Sequence, residues 1–215
     1  MGDGRMIDLD SYSIFADHHA ALRETSLDDR DGRQTYMTQS PLDAISFDDV
    51  KTDYVKNLGL SEIPKSNDAL FKDSGGSLIF VEFKNGFMDR AKQFAVRKKI
   101  YDSVLIFTDI TSKKISDLRT AMKYILVYNE SVNMANTSDR ELIHKQKAAV
   151  QPSQSFDCFA KTVGRYAHEE YICFGLKIFQ NYCFKEVHTF TEQEFEKYLT
   201  NASAPPASGQ EAGGY

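Results

Sequence analysis

The chain predicts a mixed α/β domain, a small mixed β-sheet flanked by helices, and three observations carry that reading. Ser77 to Lys84 (SLIFVEFK) is an apolar, β-branched and aromatic run behind a turn-forming Asp73-Ser74-Gly75-Gly76. A long helical pattern follows it, from Met88 to about Ile106. A second β-rich run, Tyr124-Ile125-Leu126-Val127-Tyr128, then reads as a further strand. With 215 residues, 41% of them hydrophobic and 12% aromatic, the chain is long enough for a real core in one domain.

Residues 1–40 form an acidic segment with little periodicity, in which Ser13 to Leu22 reads as a short helix and Asp28 to Gly32 as a loop. Ser40-Pro41-Leu42-Asp43 has the form of a helix start: Ser40 as N-cap, Pro41 first in the helix, Asp43 in the first turn. Ile45, Val50, Tyr54, Val55 and Leu58 continue it at helical spacing until Gly59. After a linker with Pro64, Asn67 to Phe71 reads as a strand, making a hairpin with Ser77 to Lys84 that Asn85-Gly86 ends.

In the helix after the hairpin, Ala91, Phe94, Ala95, Ile100, Tyr101, Val104 and Leu105 are expected on or near one face. Ile115 to Met122 reads as a second helix, and Thr137 to Ala148 as another, opened by a capping box at Ser138 and Glu141. Tyr171 to Phe184 fits strand and helix equally. Val187 to Phe190 is a last strand, and Thr191 with Glu194 caps a helix ending near Leu199. Residues 201–215 are small, Pro/Gly-rich and nearly uncharged, as in a disordered tail. The expected organisation is thus an N-terminal segment 1–40, one domain over 41–200 and a tail from 201.

No apolar run approaches the roughly 18–20 residues of a membrane helix, and Met1 to Asp10 has no secretory pattern. Cys158, Cys173 and Cys183 form no CxxC pair and complete no zinc pattern with the five histidines, so buried free thiols in a reducing cytoplasm are expected. P-loop, G-x-G-x-x-G, G-x-S-x-G and H-E-x-x-H motifs are missing, which removes several common enzyme classes. His18-His19 reads as a surface pair, and Tyr12, Tyr36 and Tyr54 as packing residues rather than base-stacking ones.

Net charge is −5, against a large basic surface. Its distribution is uneven: residues 1–83 carry −8, residues 84–123 carry +6 and the remainder −3. The basic stretch begins at Lys84, and Arg90, Lys92, Arg97, Lys98 and Lys99 are its candidate nucleic-acid contacts. The same residues also read as the solvated face of an amphipathic helix.

Glu82 and Lys84 are two apart on a strand and project from one face. A turn within Asp73 to Gly76 sets Asp68 opposite residue 81 or 82, within about 5–8 Å of Glu82. Two carboxylates and an ammonium at one end of an apolar hairpin are costly unless paired or metal-bound. A hard cation such as Mg2+ or Mn2+ answers that cost with oxygen ligands, and Lys84 stands ready to act on a nucleophile or stabilise phosphate charge.

At these residues the sequence resembles the PD-(D/E)xK nuclease superfamily, whose signature is an acidic residue on one strand, a turn, then E-x-K on the next. Here that is Asn67-Asp68, thirteen intervening residues, and Glu82-Phe83-Lys84. The resemblance spans roughly residues 42–130, with Asn67 where a proline is usual. It implies a restriction-endonuclease-like α-β-β-β-α-β core, Asp68 and Glu82 as Mg2+ or Mn2+ ligands, Lys84 as catalytic, Asp49 or Asp53 as a further acidic ligand, and Lys92 and Gln93 as the nucleic-acid-facing polar residues of the helix after E-x-K. It implies cleavage of nucleic acid, DNA before RNA, in defence, restriction or repair, and it admits a homodimer where both strands are cut.

Two other readings of the residues stay open. One is a plain ion pair, Glu82–Lys84 or Asp68–Lys84, at a sheet end. The other is a non-catalytic interaction or immunity-type protein on the same scaffold, meeting a basic protein partner through the acidic N-terminal surface.

Overall fold

A computed structural model describes residues 7–29, 32, 34–133 and 172–203. In chain order the strands are β1 (His19–Ala21), β2 (Leu27–Asp28), β3 (Thr35–Tyr36), β4 (Asp43–Ser46), β5 (Ala69–Lys72), β6 (Leu78–Lys84), β7 (Met122–Tyr128) and β8 (Glu186–Thr191). The helices are α1 (Ser13–Ala16), α2 (Leu22–Thr25), α3 (Phe47–Val55), α4 (Arg90–Thr111), α5 (Ile115–Ala121), α6 (Glu130–Asn133) and α7 (Glu192–Ser203). Six strands make one sheet in the order β1-β4-β5-β6-β7-β8, while β2 and β3 pair apart from it. The pairings from β1 to β6 are antiparallel, and β6, β7 and β8 run parallel.

The sheet has helices on both faces, and β6 demonstrates why its sequence is apolar without alternation. Leu78 and Phe80 face α4, against Val96, Ile100, Val104 and Phe107. Ile79, Val81 and Phe83 face the other way, towards Phe195 and Leu199 of α7. A strand covered on both sides has no solvent face on which to place polar residues. Asp73 closes the β5–β6 turn, accepting the Gly76 N–H at 2.9 Å and donating to Ser77 O at 3.0 Å, with Gly76 at φ 82°. Because β7 runs parallel to β6, the chain returns through a crossover, and α4 and α5 supply it.

The start expected at Ser40 is a turn and a strand instead. Ser40 Oγ does accept an N–H, from Leu42 at 3.3 Å, but Asp43–Ser46 is β4, with Ile45 paired to both His19 and Leu70. The helix begins at Phe47. Two flanking strands supply the backbone of residues 43–46 with partners that a helix would otherwise provide, so tertiary pairing outweighs the capping signal.

The helix expected over Ser13 to Leu22 is likewise split, into α1, β1 and α2. Residue 41 is therefore no boundary of the sheet: β1 is its edge strand, and Phe15 packs with Phe47 and Phe107 in the core.

Asp89 caps α4 by accepting the Lys92 N–H at 2.8 Å, and the helix runs to Thr111, past the expected end. Its buried face is Val96, Ile100, Ser103, Val104, Ile106 and Phe107. Phe94, Leu105 and Tyr101 are 71%, 63% and 43% exposed. Apolar residues occur almost all round this helix, so periodicity alone does not choose the stripe that meets the sheet.

Elsewhere, Tyr171 to Phe184 resolves into a 3-10 turn, Leu176–Phe179, in the part described. Thr191 and Glu194 make the expected capping box, with the Thr191 N–H donated to Glu194 Oε2 at 2.8 Å and the Glu194 N–H to Thr191 Oγ1 at 3.3 Å. Cys173 and Cys183 are both buried. The helix expected over 137–148, Cys158 and residues 204–215 lie outside the described residues. Among the described residues no helix is long and apolar enough to cross a membrane.

Candidate functional site

Register builds the site. Ala69 pairs with Val81, which sets Asp68, one residue earlier, across from Glu82. The Asp68 backbone is fixed on both sides, its N–H donating to Val81 O and its carbonyl accepting the Phe47 N–H, each at 3.1 Å. Its carboxylate closes the strand pairing further: Asp68 Oδ2 accepts the Phe83 N–H at 2.6 Å.

Glu82 follows Phe80 on the α4 face of β6 and is fully buried, with 0% of its surface exposed. Lys84 bonds to Glu82 Oε1 and also donates to Phe83 O at 3.2 Å. Asp68, Glu82 and Lys84 therefore come together at the C-terminal end of β6, as the residue spacing predicts.

Lys99 completes the cluster from the middle of α4. Its Nζ lies 2.9 Å from Asp68 Oδ1 and 2.7 and 2.9 Å from the two oxygens of Glu82. A lysine expected on a nucleic-acid-binding surface is thus part of the acid pair's own surroundings. Burial, then the charge of Asp68, pushes the Glu82 carboxyl above its ordinary range, while Lys84 and Lys99 pull it back. Burial disfavours the Lys99 ammonium, but Glu82 and Asp68 outweigh it and hold the amine protonated well above its usual value.

The other candidate residues are dispersed. Asp53 faces His18, 3.4 Å from its Nε2, and Lys56; Asp49 is exposed on α3. Among the described residues no three Asp, Glu, His or Cys side chains are grouped so as to hold a metal ion, so neither aspartate completes a set with Asp68 and Glu82. On α4, Arg97 reaches the carbonyls of Phe174 and Gly175 at 3.4 and 3.5 Å, and Lys98 pairs with Asp102 at 3.0 Å. Lys92 donates to Phe87 O and Gln93 to Met88 O, whereas Arg90 is exposed. The basic run is therefore distributed among several local tasks rather than one continuous face.

Several supporting residues escape a sequence reading. Ser103, fully buried on α4, accepts the Asn67 N–H through Oγ at 2.8 Å and so anchors the strand entering the site. Lys99 and Ser103 lie at i, i+4 and share the buried stripe of Val96 and Ile100; polar residues on an apolar stripe are the signal that points to them. The Tyr124 hydroxyl is buried with no hydrogen-bond partner, and its pKa is pushed well up by burial and then by the charges of Glu82 and Asp68. Beyond Lys84, Asn129 donates its N–H to Lys84 O and its side chain to Asn85 Oδ1 at 2.7 Å, and Asn85 donates to Asp28 Oδ2 at 3.1 Å. Strand ends far apart in sequence are tied together there.

No family model, curated protein or solved structure matches this chain.

Proposed function

We propose that this protein is a metal-dependent nuclease that hydrolyses phosphodiester bonds, with DNA favoured over RNA, on a restriction-endonuclease-like scaffold. The observation that carries the reading is the facing pair Asp68 and Glu82, whose oxygens converge on a single cationic point beside Lys84. Both are hard oxygen donors, and the ammonium of Lys99 stands where a cation serves both, so the donor set fits Mg2+ or Mn2+. Asp68 and Glu82 would hold that ion, which when bound polarises a phosphodiester and lowers the pKa of water. Lys84, partly exposed and anchored on Glu82 and Phe83 O, orients the nucleophile and stabilises negative charge on the phosphate. The pairing of β4, β5 and β6 as antiparallel neighbours, with β7 added parallel to β6 through α4 and α5, supports the scaffold reading, although α3 stands between β4 and β5 where the α-β-β-β-α-β order has no helix.

The test is cleavage of labelled DNA and RNA in Mg2+, Mn2+ and EDTA. Wild type is expected to cut only with metal, and Glu82→Gln and Lys84→Ala to lose roughly 100-fold or more. Folded wild type that cuts nothing and binds no metal by calorimetry overturns the proposal.

One observation favours a second reading. Glu82 is completely buried and both carboxylates already have lysine partners, as suits a non-catalytic scaffold that binds a basic protein through its acidic N-terminal surface. Unchanged partner-free stability and no metal-dependent activity are what that reading expects of added Mg2+.

A further inference from the structure

We infer that Lys99 is a resident counter-ion that a divalent cation displaces from between Asp68 and Glu82, so that metal binding and release of the Lys99 side chain are one event. The inference rests on the metal-dependent reading above and adds to it the residue that regulates occupancy.

Charge balance is the first reason. Two carboxylates and two ammonium groups share a site in which Glu82 has no exposure to water. A divalent ion added on top of both lysines leaves an uncompensated double positive charge in a poorly solvated place, which is strongly disfavoured. One ammonium has to leave.

Geometry says which one. Lys84 touches only Glu82 of the acid pair, whereas Lys99 Nζ contacts Asp68 Oδ1 at 2.9 Å and Glu82 Oε1 at 2.7 Å. An ion ligated by both carboxylates must take the position of the Lys99 nitrogen. Carboxylate–Mg2+ distances of about 2.0–2.1 Å require the oxygens to close in by roughly 0.6–0.9 Å from their present distances to the Lys99 nitrogen. Attachment favours the same residue. Both lysines are about equally exposed, 18% for Lys99 and 20% for Lys84, so each has a path outward, and what separates them is their other contacts. Lys84 is also tied to Phe83 O at 3.2 Å on its own strand.

The consequence is competition. In wild type only the fraction of molecules with Lys99 withdrawn binds metal, and the apparent affinity is lowered by that fraction. Removing the ammonium removes the competition.

The test is titration of Mn2+ alone, by calorimetry, into wild type, Lys99→Met, Lys99→Gln and Glu82→Gln. One Mn2+ bound about tenfold or more tightly by the Lys99 variants than by wild type, and lost in Glu82→Gln, is the expected result. In wild type, acetylation of Lys99 by acetic anhydride, read by mass spectrometry, is expected to rise when Mn2+ is added. This second measurement stands even where the variants fail to fold. Equal Mn2+ affinity in wild type and Lys99 variants, with binding lost in Glu82→Gln, overturns the displacement and leaves the metal reading intact. Lys99 acetylation unchanged at saturating Mn2+ overturns it too. No Mn2+ binding by any folded form removes the metal reading and this inference together.

Discussion

Asp68 accepts the backbone N–H of Phe83 through Oδ2 at 2.6 Å, so a side chain one residue before β5 continues the hydrogen bonding of β5 to β6. The bonded peptide lies between Glu82 and Lys84. A carboxylate of the candidate site is therefore also a structural fastener for the strand that carries the other two residues.

Asp68→Ala removes that acceptor and one partner of Lys99, leaving a sequestered N–H unpaired. A loss of about 1.5–3 kcal/mol is expected from urea unfolding, and a smaller one for Asp68→Asn, which keeps an acceptor oxygen. Equal losses in the two variants count against the fastener.

The Glu82–Lys99 pair is buried and shared, so it is expected to be strongly coupled. Lys99→Met alone is expected to cost on the order of 3 kcal/mol, because Glu82 and Asp68 lose a common counter-ion. In the double variant Glu82→Gln/Lys99→Met the costs are expected to fall short of additivity by about 0.5–3 kcal/mol. Additive costs in a double-mutant cycle mean that the pair is not coupled in solution.

Tyr124 offers a gain rather than a loss. Its hydroxyl is buried without a partner, near two carboxylates, and Tyr124→Phe removes that unpaired group while keeping the ring stacked on Phe184. A rise in stability of about 1 kcal/mol is expected; a fall of that size places a hydrogen bond on the hydroxyl.

The edge pair β1–β4 carries one pH-sensitive contact near neutrality. His19 Nδ1 lies 2.8 Å from Asp43 and Nε2 lies 3.0 Å from Asp10. The Asp43 hydrogen bond raises the histidine above its ordinary 6.5, with Asp10 adding to it and partly offsetting the lowering by burial. A raised folded-state value means that the stabilisation is complete below 6.5 and is lost as pH rises through the folded value. The difference in melting temperature between wild type and His19→Gln is expected to be largest below about pH 6.5 and to shrink as pH rises above it. A difference that does not vary with pH rejects this role.

Thr191→Ala deletes one half of the capping box at the start of α7. A cost of about 1 kcal/mol is expected in denaturant unfolding, with a similar effect for Glu194→Ala.

What was legible beforehand follows from local chemistry. Gly76 and Asp73 mark the turn, SLIFVEFK marks a strand covered on both faces, and a side-chain period of two puts Glu82 and Lys84 on one side. Those facts alone bring Asp68, Glu82 and Lys84 together, because a short hairpin has one good register. Residues 43–46 read as helix because their partners, His19 to Ala21 and Ala69 to Leu70, are distant in the chain.

Only the tertiary structure decided the rest. Which stripe of α4 meets the sheet depends on the angle at which the helix packs, and that angle turns Phe94 outward and Lys99 inward. Asp49 and Asp53 stand apart from Asp68 for the same reason: the position of α3 follows from β4, not from local spacing. Sequence spacing determines neighbours within a hairpin; docking of separate elements, driven by non-directional burial of apolar surface, determines which lysine stands between its two carboxylates.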